Sequence, residues 1–177
     1  MRVFAGLALD GKMKQALWEV AAKARELFPG RYADKANYHC TLAFIGEVDK
    51  VSLTPIRQAL TEAAAGCSAF PITLSSLSYF RRREDAILFC GLQASTVLQD
   101  LAGAVQKKLR AAGFVLDEAP FCAHITLARQ TKLDPAAFPQ IKALPLTQQM
   151  DAVTLFESAR VEGKLQYLPL FICPLEK

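Results

Sequence analysis

The chain has 177 residues, of which 52% are apolar and 21% charged, and its formal net charge is +4. A chain of that size buries a real core and suits one domain of two lobes. The composition excludes a disordered polypeptide, and the mild charge favours an anionic ligand while falling well short of a tail that coats duplex nucleic acid.

Residues 3–9 form a short apolar run ending at Asp10-Gly11, the pattern of a buried strand. The run follows Arg2 and resembles a secretion signal, but it is too short, meets Asp10 at once and lacks a convincing cleavage site. Over residues 12–28, Met13, Leu17, Val20, Ala24, Leu27 and Phe28 fall at helical spacing, and Pro29-Gly30 stops the helix. Residues 38–45 are β-rich and end at Gly46; residues 54–65 read as a helix terminated at Gly66. A strand over 70–79 leads through the basic turn Arg81-Arg82-Arg83-Glu84-Asp85 into a strand over 86–92. A helix from about 95 to 112 carries Leu98, Leu101, Val105 and Leu109 on one face, with Gly113 at its end. Residues 121–128 read as a strand and 132–149 as a Pro- and Gln-containing connector. Strands over 152–156 and 165–173 close the chain, with Glu162-Gly163 marking a hairpin between them.

No stretch reaches the length of a membrane span. The five cysteines, Cys40, Cys67, Cys90, Cys122 and Cys173, are odd in number and contain no C-x-x-C pair, so neither a zinc ribbon nor a thioredoxin-type site is indicated. Small buried thiols in a soluble cytoplasmic protein are expected.

The two histidines of the chain stand in one frame: His39-Cys40-Thr41-Leu42-Ala43 and His124-Ile125-Thr126-Leu127-Ala128. The motifs lie 85 positions apart, and each closes a strand, helix, histidine-strand sequence. A duplicated unit with a pseudo-twofold axis would bring equivalent strands together and aim both histidines at one cleft. In a strand, residues two apart share a face. His39 and Thr41 therefore project together, as do His124 and Thr126, while Leu42 and Leu127 anchor the strands in the core. A lone strand histidine is usually structural, and threonine suits strands for its β propensity. Doubling of the whole frame, with no histidine elsewhere, favours a functional pair.

Imidazole exchanges protons near neutral pH. Two of them across a small cleft suit transfer at a phosphodiester: one takes a proton from the attacking hydroxyl, the other protonates the departing oxygen. The threonine hydroxyls can hydrogen-bond the non-bridging oxygens as charge grows. A cyclic phosphate fits best, because its strained ring leaves nucleophile and leaving oxygen in line. No metal and no cofactor are required.

The stretches Asn37-Tyr38-His39-Cys40-Thr41-Leu42-Ala43-Phe44-Ile45-Gly46 and Pro120-Phe121-Cys122-Ala123-His124-Ile125-Thr126-Leu127-Ala128-Arg129 resemble the paired H-x-T-x motifs of the 2H phosphoesterase superfamily. They are most similar to its bacterial branch, the RNA 2′,3′-cyclic phosphodiesterases once called 2′-5′ RNA ligases (LigT or ThpR type). The likeness runs nearly the whole chain, with Thr154-Leu155-Phe156-Glu157-Ser158 and Tyr167 near the end. It implies an α+β bilobal fold, residues 1–177 forming one domain of two pseudo-twofold-related lobes with one motif each, antiparallel sheets lining a central cleft and helices outside. It also implies hydrolysis of a ribonucleoside or RNA 2′,3′-cyclic phosphate to the 2′-phosphate. By position, His39 would donate a proton to O3′, His124 would activate water, and Thr41 and Thr126 would hold the phosphate. Weak 2′-5′ joining is implied as the reverse reaction. Tyr38 and Cys40 stand where leucine is common, which bears on ligand preference.

Arg129 matches an arginine common after the second motif and can pair with phosphate or stack on a base. Strict alternation points it away from His124, which leaves a structural salt bridge equally open. Phe44 can stack on a nucleobase, though core packing is favoured. The Arg81, Arg82, Arg83 run can guide RNA, though a solvated hairpin turn is the commoner meaning. Cys122, two before His124 and on the same strand face, could serve as a nucleophile, though a packed cysteine is favoured.

The expected partners are RNA ends or nucleotides carrying a 2′,3′-cyclic phosphate. No protein partner is implied, and a monomer is expected. The alternatives are a non-catalytic RNA-end binding module using the same cleft and a cysteine hydrolase built on Cys122 and His124. The chain has no G-x-x-x-x-G-K-[ST] loop, which argues against ATP-dependent ligation.

Overall fold

A computed structural model describes residues 1–141 and 145–177 of the chain. Among the described residues, nine strands and three helices follow in the order β1 (Arg2–Ala8), α1 (Gly11–Leu27), β2 (Arg31–Tyr32), β3 (His39–Glu47), α2 (Leu53–Ala64), β4 (Phe70–Arg81), β5 (Ala86–Leu92), α3 (Thr96–Ala111), β6 (His124–Thr131), β7 (Thr147–Met150), β8 (Ala152–Val161) and β9 (Lys164–Pro174). Short 3₁₀ turns at Lys35–Asn37 and Pro135–Gln140 complete it.

Local chemistry sets the helix boundaries. The Asp10 carboxylate accepts from the Met13 backbone N–H at 2.7 Å and caps α1, which buries Met13, Leu17, Val20, Ala21 and Ala24. Ser95 caps α3 in the same way through the Leu98 N–H, and Leu98, Leu101, Ala102, Val105 and Leu109 are buried. Lys108 and Arg110 in its last turn complement the helix dipole. At the β8–β9 turn, Glu162 and Gly163 adopt φ of 49° and 79°, so both central residues are left-handed, as a two-residue hairpin of the twisted type requires.

The sheet order is β7-β4-β5-β6-β3-β1-β8-β9, with β2 pairing β6, and every ladder between named strands is antiparallel. The order reads symmetrically about its centre: β3 corresponds to β6, β1 to β5, β8 to β4 and β9 to β7. The central strands of the two halves, β3 and β6, pair at one position, Cys40 with Ile125. Helix α1, which follows β1, touches β6, while α3, which follows β5, touches β3. Helices α1 and α3 therefore pack across the centre onto the opposite half, while α2 touches β8 and β9 of its own.

Two elements escape the sequence pattern. Residues 132–149, expected to be a connector, include the 3₁₀ turn at Pro135–Gln140 and strand β7, while 142–144 lie outside the described residues. β7 (TQQM) has little apolar character and is a strand because it pairs with Phe70–Thr73 of β4. β2 is two residues long, and no periodicity can show at that length.

Candidate active site

The central pair fixes the geometry. Cys40 and Ile125 are both fully buried, so their neighbours His39, Thr41, His124 and Thr126 face the other side of the sheet. Continuing that antiparallel register by one residue each way sets His39 beside Thr126 and Thr41 beside His124. The imidazoles thus take opposite corners of a four-residue patch, with Cα atoms about 7–8 Å apart as for any diagonal pair.

Both rings are held in the same way at Nδ1. His39 Nδ1 lies 2.7 Å from the Asn37 carbonyl, and His124 Nδ1 lies 2.7 Å from the Cys122 carbonyl, each two residues upstream. A carbonyl only accepts, so Nδ1 carries the hydrogen and Nε2 of each neutral ring holds a lone pair. The Thr41 hydroxyl donates to His39 Nε2 at 2.9 Å. Asn37 is in turn clamped to β9: its amide donates to the Leu165 carbonyl at 2.9 Å and accepts from the Tyr167 N–H at 3.2 Å. Asn37 escaped the sequence reading as a functional residue; only its place two residues before His39 could have pointed to it.

Aromatic walls complete the site. The His39 ring meets Phe4 (4.6 Å between centroids), Tyr167 edge-on (4.8 Å) and Phe156 (6.1 Å). His124 meets Phe80 and Phe89 edge-on at 5.0 and 5.2 Å. Burial pushes His39 down to about 4, against the Asn37 carbonyl that favours its charged form, and the positive charges of His124, Arg129 and Lys14 add to the depression. His124 is lowered for the same main reason, with Arg129 again contributing.

The motif strands share a bulge that overturns one expectation. Ala5 pairs with Ala43 but Gly6 with Thr41, leaving Leu42 unpaired; Leu88 pairs with Ala128 but Phe89 with Thr126, leaving Leu127 unpaired. A bulge inserts one residue and inverts the alternation beyond it. Leu42 and Ala43 are both buried, as are Leu127 and Ala128, and Phe44 and Arg129 swing to the histidine face. Arg129 is exposed there, and its charge is felt at both rings. The expectation that alternation points it away fails because two-residue periodicity does not survive the bulge. Phe44, favoured as a core residue, is 44% exposed for the same reason, with the Arg2 guanidinium 4.8 Å from its ring centre.

The other candidates are displaced from the chemistry. Arg81 lies on the face of β4 opposite Phe80 and sits over the Tyr79 ring, so the start of the basic run points away from His124. Cys122 precedes β6, is exposed, and meets His124 through its carbonyl. Its expected packing therefore does not hold. Cys40, Cys90 and Cys173 are buried as expected, Cys67 is half-buried, and all five thiols are free. Among the described residues, no group of three or more metal-ligating side chains gathers, and no helix is long and apolar enough to cross a membrane.

An antiparallel α+β sheet with helices outside, two H-x-T motifs at its centre and an imidazole pair on one face define a 2H phosphoesterase fold. Residues 13–162 match the 2′-5′ RNA ligase superfamily, and the chain belongs to that family. An RNA 2′,3′-cyclic phosphodiesterase of Geobacillus stearothermophilus is 29% identical over 85% of this chain, which spans about half (49%) of that relative's length. One of the same description from Thermotoga maritima is 24% identical, covering 99% of this chain and 96% of its own. The crystal structure of Escherichia coli LigT complexed with 3′-AMP superposes with a TM-score of 0.83 at 23% identity, covering 99% of this chain and 98% of the other, which shows a shared fold.

Proposed function

We propose that this chain is an RNA 2′,3′-cyclic phosphodiesterase acting on RNA or nucleoside ends, its residues 1–177 forming one two-lobed domain with a motif in each lobe. The observation that carries the reading is the matched pinning of two imidazoles, each by a carbonyl two residues upstream, on adjacent strands of a symmetric sheet. Binding alone has no need of two oriented proton carriers.

In this reading His124 Nε2 takes a proton from water as it attacks phosphorus, and His39 Nε2 gives one to O3′ as the P–O3′ bond breaks. The product is the 2′-phosphate, and the proton count balances through the pair. Thr41 and Thr126 hold non-bridging oxygens, and Arg129 adds positive charge to the substrate-binding face. With the phosphate absent, burial and neighbouring charge keep His39 neutral near pH 7. A phosphate anion opposes that positive field and draws the Thr41 hydroxyl off Nε2, so substrate itself raises the affinity of His39 for a proton. With the 5′-hydroxyl of a second RNA end in place of water, the same two proton transfers form an O5′–P bond as P–O3′ breaks and leave a 2′-5′ linkage.

The test is hydrolysis of a 2′,3′-cyclic nucleotide and of a cyclic-ended oligonucleotide in excess EDTA. Turnover yielding only 2′-phosphate supports the proposal. Tight binding without product would favour the RNA-end binding module instead, and loss of activity restored by divalent metal would overturn the metal-independent mechanism.

A further inference from the structure

An uncompensated charge pair lies beside the histidine patch. Arg31 and Arg129 are directly opposite each other in the two-residue ladder of β2 and β6. Directly opposed residues of an antiparallel pair project from the same face, with Cβ atoms about 4.5–5.5 Å apart, and like charges placed so destabilise the sheet. Both residues are exposed. The salt bridges among the described residues join the N-terminus to Glu47 and Lys108 to Glu62, so neither arginine is in one. Arg31 donates only to the neutral amide oxygen of Gln130, at 3.4 Å.

The backbone holds the two cations together. Gly30 packs against Thr131 so closely that a Cβ would stand 2.4 Å from Thr131 Cγ2, and the Lys132 N–H donates to the Pro29 carbonyl at 2.9 Å. Gln130 takes the left-handed conformation (φ 51°), which breaks regular pairing just beyond Arg129. β2 thus lies tight on β6 at the cost of a glycine, a strained glutamine and an arginine repulsion. The Leu127 bulge turns Arg129, and with it Arg31, toward the histidine face.

We propose that Arg31 and Arg129 form a second anion subsite, which takes the phosphate on the 5′ side of the terminal nucleoside and so selects nucleotide chain ends over bare cyclic nucleosides. This rests on the cyclic phosphodiesterase reading. Two guanidinium forks grip one phosphate from two sides, and the anion removes the repulsion that the pair carries alone. The phosphate can belong to an internal diester or to a terminal 5′-phosphate.

The test compares kcat/KM for adenosine 2′,3′-cyclic phosphate, its 5′-phosphorylated form and the cyclic-ended dinucleotide ApA, in the wild type, Arg31→Gln and Arg31→Lys. The added phosphate should raise kcat/KM by roughly tenfold, chiefly through KM, as a charge-assisted contact of ordinary strength does. Arg31→Gln should erase the gain to within about twofold and Arg31→Lys should keep part of it, by the same reckoning. The salt dependence of the gain should disappear with it. Because a repulsion is relieved, the melting temperature of Arg31→Gln should not fall. A gain confined to the dinucleotide identifies the internal diester, and one confined to the mononucleotide the 5′-phosphate. Absence of any gain, or an equal gain in Arg31→Gln, overturns the subsite. If nothing turns over, the catalytic reading fails by itself. Calorimetric affinities of adenosine 2′-phosphate with and without a 5′-phosphate, for wild type and Arg31→Gln, then decide the subsite.

Discussion

Cys40 faces Ile125 across the centre of the sheet, each one residue beyond a histidine. That single contact converts a repeat in the chain into a site, because it turns two H-x-T segments to one face in opposite directions. Neither half has the pair alone. If the imidazoles act as one proton relay, His39→Ala and His124→Ala each lower kcat by about 10²–10⁴-fold. The double variant should fall little further, since groups that work as a unit are non-additive. Single-turnover rates on a cyclic nucleotide give the comparison; multiplicative losses would show independent action.

Asn37 links β9 to His39 through two side-chain bonds and one carbonyl. Asn37→Ala frees that carbonyl to drift, and small misplacement of a catalytic group costs up to about 10²-fold. We expect kcat to fall by roughly 10-fold or more with product affinity little changed. Equal losses in kcat and product binding would reveal general damage instead.

The depressed histidines make stability pH-dependent. Between the ordinary value of 6.5 and about 4, the unfolded chain binds a proton that folded His39 refuses. Stability is therefore full above about pH 6.5 and falls as the solution is acidified toward pH 4, by up to about 1.4 kcal/mol per pH unit. His124 acts in the same direction. Urea melts of wild type and His39→Gln check this: the variant should show a flatter decline across that window.

Gly6 is opposite Thr41, where an added Cβ would stand 2.7 Å from the Cys40 carbonyl oxygen. The obstacle is backbone, so relief requires β1 to move from β3 and disturbs the Leu42 bulge. Gly6→Ala should destabilise the fold by about 1–3 kcal/mol and reduce activity. A variant with unchanged melting temperature would show that the strands part freely.

Cys122 presents its carbonyl, not its thiol, to His124. Cys122→Ser keeps that carbonyl and should retain activity to within about twofold, small beside the losses of removing an acid–base group. Abolished turnover in Cys122→Ser, with His124 intact, would restore the cysteine hydrolase.

Much of the site is legible in one dimension because its information is local. His39 and His124 are the only histidines, their frames match, and alternation puts each threonine on the histidine's side. The helices are equally plain, since Asp10 and Ser95 mark their starts and apolar stripes their length. β2 and β7 are not plain, because they are strands only through their partners.

The sequence by itself determined that two imidazole–hydroxyl pairs exist, each on a strand anchored by a leucine. Tertiary structure alone decided which other side chains join them. Arg129 and Phe44 reach the histidine face because bulges at Leu127 and Leu42 reverse the alternation. A bulge arises from how one strand pairs with another, and no periodicity within a single strand records it. Arg31 and Asn37 act through contacts 99 and 128 positions away. Chain folding brings such residues together, and only the folded register shows that it has.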